Sequence, residues 1–593
     1  MSMMRSGILS FLAGLGAILF LLSFSAAQAS PAPPAQFDGP AELPRVYVHS
    51  AMSDTPAPGK VVAVHEGESL QAAINRADCG DRIELDAGAT FVGVFRFPEK
   101  PCDDSHWIMV RTSAPDSSLP PEGTRLTPCW AGVASLPGRP DFHCAATRNL
   151  LAKIEFKVKS GLGPFIFEAG ANRYRFVGLE ITRAAGPVVS ALSIAPEGAT
   201  ANHLVFDRVW MHGTAQDETT RALNLSGMSY VAVVDSFFTD FHCIAITGSC
   251  TDAQVLASSG GNVPTGPFKV VNNFLEAAGE NILFGGGAAT MTPADIEIRG
   301  NHFFKPMTWK PGEPGFVGGA SGRPFIVKNL FELKNAQRVL LEGNLLENCW
   351  GGFSQNGYAV LLTPKNQSNQ CPLCRVTDIT IRFNRITNVG SVFSIANIRS
   401  DAGGETTAGE RYSIHDVVAD NVRGEQYGGA GLFAQLMVEA PQMRNVQIEH
   451  VTAFITRAAF SIGNNSRFEN FKIANNIVST GRYSVLSTGG GQRNCAFQAD
   501  PGGFFKNCFS DSSFTHNLMI GGGGWPSGNS SAKDARAAGI HESPGPDGMP
   551  YRLCADKDNG ECKKVSPALH AGTDGKDLGA DLEKLQRMLA NVK

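Results

Sequence analysis

The chain is sparing with charge. Lys, Arg, Asp and Glu make up 18% of its 593 residues, and their balance is slightly acidic, at −4. A nucleic-acid-binding surface needs a basic excess, so none is expected. Low charge does not mean disorder here, because apolar residues supply 43% of the chain and can fill a large core. Past residue 22 no apolar run is long enough to cross a bilayer. No helical spacers separate the β-rich runs, which argues against alternating β–α architectures. Glycine, in contrast, is abundant at 65 residues, as a chain with many turns requires.

The first 29 residues read as a signal peptide. Arg5 supplies a basic start, Ile8 to Leu22 an apolar stretch, and Ala27-Gln28-Ala29 a small-residue cleavage site. Cleavage near Ala29 would place the protein outside the cytoplasm, secreted or periplasmic, with no membrane role beyond export. All thirteen cysteines lie beyond that point and are free to oxidise. Short separations suggest the pairs Cys79–Cys102, Cys129–Cys144, Cys243–Cys250, Cys495–Cys508 and Cys554–Cys562. Cys349, Cys371 and Cys374 remain, so one thiol is odd. Cys371-Pro-Leu-Cys374 has no second ligand pair at zinc spacing, and no metal ligand is assigned.

From about residue 174 to 520 one pattern recurs: a β-rich apolar run, then Asn or Asp, one residue, and an apolar residue. Asn301, Asn344, Asn384 and Asn475 show it, Asp207, Asp235, Asn272 and Asp420 fit the same slot, and Glu449 is a variant. The uneven spacing falls within the roughly 20–50 residues typical of solenoid repeats. Between these positions lie second short alternating runs such as Asn281-Ile-Leu-Phe-Gly285 and Ala359-Val-Leu-Leu-Thr363. Each offers one inward face. Short strands stacked about 4.8 Å apart would turn the Asn slot into a ladder of side-chain amides, a structural device.

Glu68-Ser-Leu-Gln-Ala-Ala-Ile-Asn75 with Gly80-Asp-Arg-Ile-Glu-Leu85 resembles the N-terminal cap of the right-handed parallel β-helix proteins, the pectin-lyase-like superfamily. The resemblance, covering about residues 60 to 525, implies an all-β fold: a single-stranded right-handed parallel β-helix with short capping helices. The expected organisation is a linker at 30–59 and a β-helix at 60–525, with its cap at about 60–100 and a cysteine-bearing elaboration at about 100–170. A loop-rich tail with a closing helix follows at 526–593.

In that superfamily the second strand run lines the substrate groove. Alternation predicts that Asn224, Asn281, Glu332, Lys334, Ser394 and Gln435 face outward, with Arg221, His242, Glu280, Lys328 and Tyr358 at strand entrances. Trp309 and Trp350 stand in long turns and offer ring faces to sugars. Asn272-Asn-Phe-Leu-Glu276 followed by Gly279-Glu280-Asn281 resembles a segment of polysaccharide lyase family six, where carboxylates bind calcium and a nearby lysine is the base. The matching stretch here, Gly285-Gly-Gly-Ala-Ala289, lacks that lysine, and Ile282 replaces a second acid. Ca2+ is therefore only weakly supported, and Lys334 or His242 are the substitutes available. Pectin-type hydrolases carry paired Asp and Gly-His-Gly elements; the only adjacent Asp pair is Asp103-Asp104, and Gly-His-Gly is missing.

The leading expectation is a lyase that cleaves an acidic polysaccharide by β-elimination, with Glu280, Lys334 and His242 as catalytic candidates. Arg221, Asn224, Asn281, Lys328, Glu332, Trp309, Trp350 and Tyr358 would bind the substrate. A non-catalytic polysaccharide-binding or surface protein and a glycoside hydrolase using Glu280 and Glu332 are the alternatives.

Overall fold

The structure, a computed structural model, describes residues 35–592 apart from 143, 158–160, 245–249, 260, 264, 353–354, 546–547 and 558–561. The expected signal peptide lies outside the described residues. Three long parallel sheets of fifteen, fourteen and twelve strands run the length of the body. One coil shows the path. Phe268–Val271 lies in the first sheet, Phe274–Ala277 in the second and Glu280–Phe284 in the third, and Ala294–Arg299 returns to the first. The protein is a parallel β-helix.

Stacking sets like residues over like. Val231, Phe268, Ile296, Val339, Ile379, Tyr412, Val446 and Phe471 form one register column in the first sheet. All are buried, within a single core that follows the solenoid axis. Such a core grows coil by coil, each burying the apolar face of the one before.

The turn from the first sheet to the second is built the same way in successive coils. A left-handed residue comes first, as at Asp235, Asn272, Gly300, Gly343, Phe383, Asp416, His450 and Asn475. The next residue carries the ladder. Asn273, Asn301, Asn344 and Asn384 are linked in series, each offering its backbone N–H and Nδ2 to the Oδ1 of the next at 2.8–3.0 Å. Asn476, Asn517 and Asn529 continue it, while Val417 and Val451 interrupt it. Asn301, Asn344 and Asn384 stand in the ladder as expected, and the other expected positions are corrected. Asp235, Asn272 and Asn475 occupy the left-handed slot, Asp207 and Glu449 end strands, and Asp420 lies within a second-sheet strand. Asn tolerates left-handed backbone, so an Asn-Asn pair fills both positions and hides which is which.

The ends differ in part from expectation. Ser69 caps the helix Leu70–Arg76 by accepting from Ala72 N–H, and Leu70, Ala73 and Ile74 enter the core. At the other end the helix Pro501–Cys508 inserts Phe504 into the core, tied by Cys495–Cys508. The final helix, Leu582–Leu589, does not close the solenoid. It lies on the flank, with Leu585 packed against Phe383 and Val418. Residues 37–45 are no free linker: Asp38 pairs with Arg382 and His415, and the Arg45 N–H donates to Asp295.

All five expected disulfides are present, Cys371–Cys374 is a sixth, and Cys349 is a buried free thiol. No helix among the described residues is long and apolar enough to cross a membrane.

Candidate functional site

The third sheet gathers charge at one place. Arg221, Gln254 and Glu280 share a register row at the strand entrances. Asn224, Leu283, Glu332, Leu361, Ser394 and Gln435 belong to a second row, three residues on. Lys328 precedes the strand Phe331–Leu333 and Lys334 follows it. Successive coils thus bring together residues more than a hundred positions apart.

Glu280 is the centre of this group. It is fully buried, its Oε2 accepts from Gln254 Nε2 at 2.8 Å, and its Oε1 has no hydrogen-bond partner. Lys328 Nζ stands 3.9 Å from that Oε1 and pairs closely with Asp252. Lys334 Nζ pairs with Glu332 at 3.1 Å, and Asn329 Nδ2 donates to Glu332 at 2.7 Å. Burial, reinforced by the negative charges of Asp252 and Glu332, pushes the Glu280 carboxyl up to about 7 against the pull of Lys328 and Lys334. Burial works against the Lys334 ammonium, but Glu332, Glu280 and Asp252 outweigh it and hold it well above its ordinary value. Arg221 sits lower than usual through burial, facing Asp252 and Glu280. The group thus sets Arg221, Lys328 and Lys334 around Asp252, Glu332 and the raised carboxyl of Glu280.

The stretch that lacks the family lysine is where Lys334 lies. A Cβ on Gly286 would stand 3.3 Å from Lys334 Cδ and 3.7 Å from its Nζ, and one on Gly285 would strike the Asn335 backbone N at 2.4 Å. Gly285 and Gly286 have positive φ, +99° and +85° in that order. The bare backbone of one coil thus makes room for the lysine of the next.

Other expected residues are placed elsewhere. His242 is enclosed: its ring stacks on Phe325 at 3.8 Å, meets Trp309 edge-on, and Nε2–H donates to Thr214 O at 3.0 Å. Burial lowers it to about 4, so the ring is neutral. Trp309 and Trp350 are buried in an apolar cluster with Phe325, Val327 and Tyr427, so neither presents a ring face for a sugar. Tyr358 donates its OH to Gln435 at 2.9 Å and packs on Leu361 and Leu432. Asn224 closes its own turn by accepting from Ser226 N–H. Asn281 turns away from the charged group: its Nδ2 donates to the Leu275 and Phe304 carbonyls and its Oδ1 accepts from Lys305.

Asp252, Gln254, Asn329, Lys305 and Arg139 were not legible in the sequence. Arg139 comes from the loop closed by Cys129–Cys144 and crosses to the second sheet. It donates Nε–H to Glu276 at 2.8 Å and Nη2–H to Glu276 and Asp240 at 2.7 and 2.6 Å, with its guanidinium over the Trp309 ring. Burial opposes its charge, but Glu276 and Asp240 prevail and raise it.

These partners decide the calcium question by their chemistry. A calcium site needs several oxygens free of other cations. Here Glu276 and Asp240 are taken by Arg139, Asp252 by Lys328 and Glu332 by Lys334, and burial raises the Glu280 carboxyl toward its neutral form. The donor set does not fit a divalent cation; organic cations fill the role. Two cavities, of about 1000 and 510 Å3, lie elsewhere, along the tail and beside Arg125.

No protein family and no curated protein sequence matches the chain. Solved structures do. The PL6 family alginate lyase AlyGC is 10% identical with a TM-score of 0.40; the likeness covers 88% of this chain and 58% of that one. Pectate lyase Pel9A is 13% identical, covering 89% and 97%, with a TM-score of 0.31. The PL6 family polysaccharide lyase Pedsa3628 from Pseudopedobacter saltans is 12% identical, covering 85% and 98%, at 0.34. These are likenesses of chain path, and the fold stands on its own three parallel sheets.

Proposed function

We propose that this protein is exported and acts on an acidic polysaccharide, cleaving it by β-elimination at the group centred on Glu280. The observation that carries the reading is a buried carboxyl held at about 7 between two lysines, with one oxygen unpartnered. A proton carrier tuned near neutral pH is what general acid–base chemistry needs. The cations supply the other half: an incoming sugar carboxylate takes Lys334 and displaces Asp252 from Lys328. Its neutralisation acidifies the adjacent C–H. Ionised Glu280 accepts that proton, the C–H electron pair forms the new C=C bond, and the glycosidic C–O bond breaks toward its oxygen. The leaving oxygen is protonated from solvent. His242, enclosed and neutral, serves packing rather than proton transfer in this scheme. Six disulfides support export.

The same pKa supports a second reading, hydrolysis, with protonated Glu280 as the acid and Glu332 on the next coil as the base. The test is to incubate the protein from Ser30 onward with polyuronates and glycosaminoglycans. Ultraviolet absorbance of the unsaturated product and new reducing ends are followed together. Absorbance with reducing ends supports elimination, and reducing ends alone support hydrolysis. Neither, on substrates shown to bind, leaves a polysaccharide-binding protein. Glu280→Gln is expected to lower the rate by about 10²–10⁴-fold, the usual weight of general acid–base catalysis.

A further inference from the structure

Lys305 is a fully buried lysine without a direct carboxylate partner among its hydrogen bonds. Its ammonium donates to the carbonyls of Ala277, Ala278 and Gly279 at 2.6, 3.0 and 2.6 Å, and reaches Asn281 Oδ1 at 3.3 Å. Those four residues flank Glu280 on both sides. Buried lysines are rare and costly unless paired. This one satisfies its donors on the one turn that delivers Glu280 to the third sheet. Its own backbone is held in turn, since Asn348 Nδ2 donates to the Lys305 carbonyl at 2.9 Å. Next to Asn348, the free thiol of Cys349 has its single S–H between the Lys328 carbonyl at 3.0 Å and the Tyr358 carbonyl at 3.3 Å. One buried patch therefore supports both the turn that carries Glu280 and the backbone that carries Lys328.

We infer that Lys305 is a positioning residue for Glu280, pinning the turn 277–281 from inside the solenoid so that the carboxyl faces Lys328 and Lys334. This rests on the catalytic reading of Glu280 given above. Burial lowers the Lys305 ammonium to about 8 against the pull of Glu280 and Glu276, so the clamp weakens in alkali. A neutral amine would still offer two donors, one fewer than the three carbonyls it meets.

The test is Lys305→Met, which keeps length and removes the donors, beside Lys305→Gln, which keeps two. Amide hydrogen exchange is read in peptides covering 277–284 and, as a distant control, 445–463. In Lys305→Met exchange in 277–284 is expected to rise by about tenfold or more, with the control unchanged, as for local opening. Turnover is expected to fall by about 10–100-fold with KM within about twofold, as misplacement of a reacting group predicts. Lys305→Gln should fall between, and it carries the test if the Met variant does not accumulate folded. Unchanged exchange in 277–284, or a rise of equal size in both peptides, overturns the inference. If the unaltered protein makes no unsaturated product from any polyuronate, the catalytic reading falls, while the exchange data still decide what Lys305 holds.

Discussion

Replacing Arg139 by Met should be the most damaging single change on the second sheet. The guanidinium is 9% exposed, Glu276 not at all and Asp240 13%. Met fills the aliphatic volume but leaves one fully buried carboxylate without its counter-charge and a second nearly so. Breaking a buried pair from one side typically costs about 3–5 kcal/mol. Removing the Glu276 charge as well costs less than the sum, because a Gln there is neutral and can keep its hydrogen bonds, and only Asp240 is left without its counter-charge. Arg139→Met with Glu276→Gln should therefore be more stable than the sum of the single changes by about 2 kcal/mol. A pH dependence follows. Burial already raises Glu276 above its ordinary 4.5 even beside Arg139. Without Arg139 it rises further, and the folded state holds a proton that the unfolded chain releases. The stability of Arg139→Met should therefore fall as pH climbs above the ordinary glutamate range, whereas the double variant should keep only the part of this slope that Asp240 supplies. Urea unfolding followed by tryptophan fluorescence, for the parent, both singles and the double at several pH values, measures all three. A cost for Arg139→Met below about 1 kcal/mol, or strict additivity, would refute a buried pair that matters.

Other outcomes follow from the same contacts. Asn344→Ala removes a side chain that accepts from Asn301 twice and donates to Ile298, Glu342 and Asn384; it should cost about 2–4 kcal/mol in chemical denaturation, and under about 0.5 would show the ladder to be ornamental. Chelators should leave cleavage of acidic polysaccharide unchanged and added calcium should not raise it; loss of activity in EDTA, restored by calcium, would overturn the donor-set argument. Burial opposes protonation of His415, but Asp38 and Asp416 outweigh it and raise the ring to about 9 from 6.5. Its contribution is thus complete below 6.5 and is lost as pH rises through about 9. Proteolysis of residues 37–45 should accelerate over that window in the parent and lose this pH dependence in His415→Gln.

Much of the architecture was written locally. Strand alternation, a recurring Asn or Asp before an apolar residue, and a Ser-capped first helix need only neighbours in sequence to be read, and so do disulfides with partners a few dozen residues apart at most. Asn301, Asn344 and Asn384 were read correctly as ladder residues; Asn272 and Asn475 were one residue early because left-handed backbone and amide stacking both favour Asn, and only the turn geometry tells Asn272 from Asn273. Glu280, Lys328, Glu332 and Lys334 were found as candidates because alternation at strand ends is also local. What they touch was not local. Asp252 reaches Lys328 from two coils back, and Lys334 lies in the space left by Gly286. Lys305 clamps a turn in the preceding coil, and Arg139 arrives from a loop whose path no periodicity describes. Trp309 and Trp350 read as sugar platforms until the chain folded over them. Hydrophobic periodicity is a property of each strand, so sequence alone determined that this chain coils. Which charges meet, which are buried and which pKa values shift depends on distances between coils, and those exist only once the solenoid has closed.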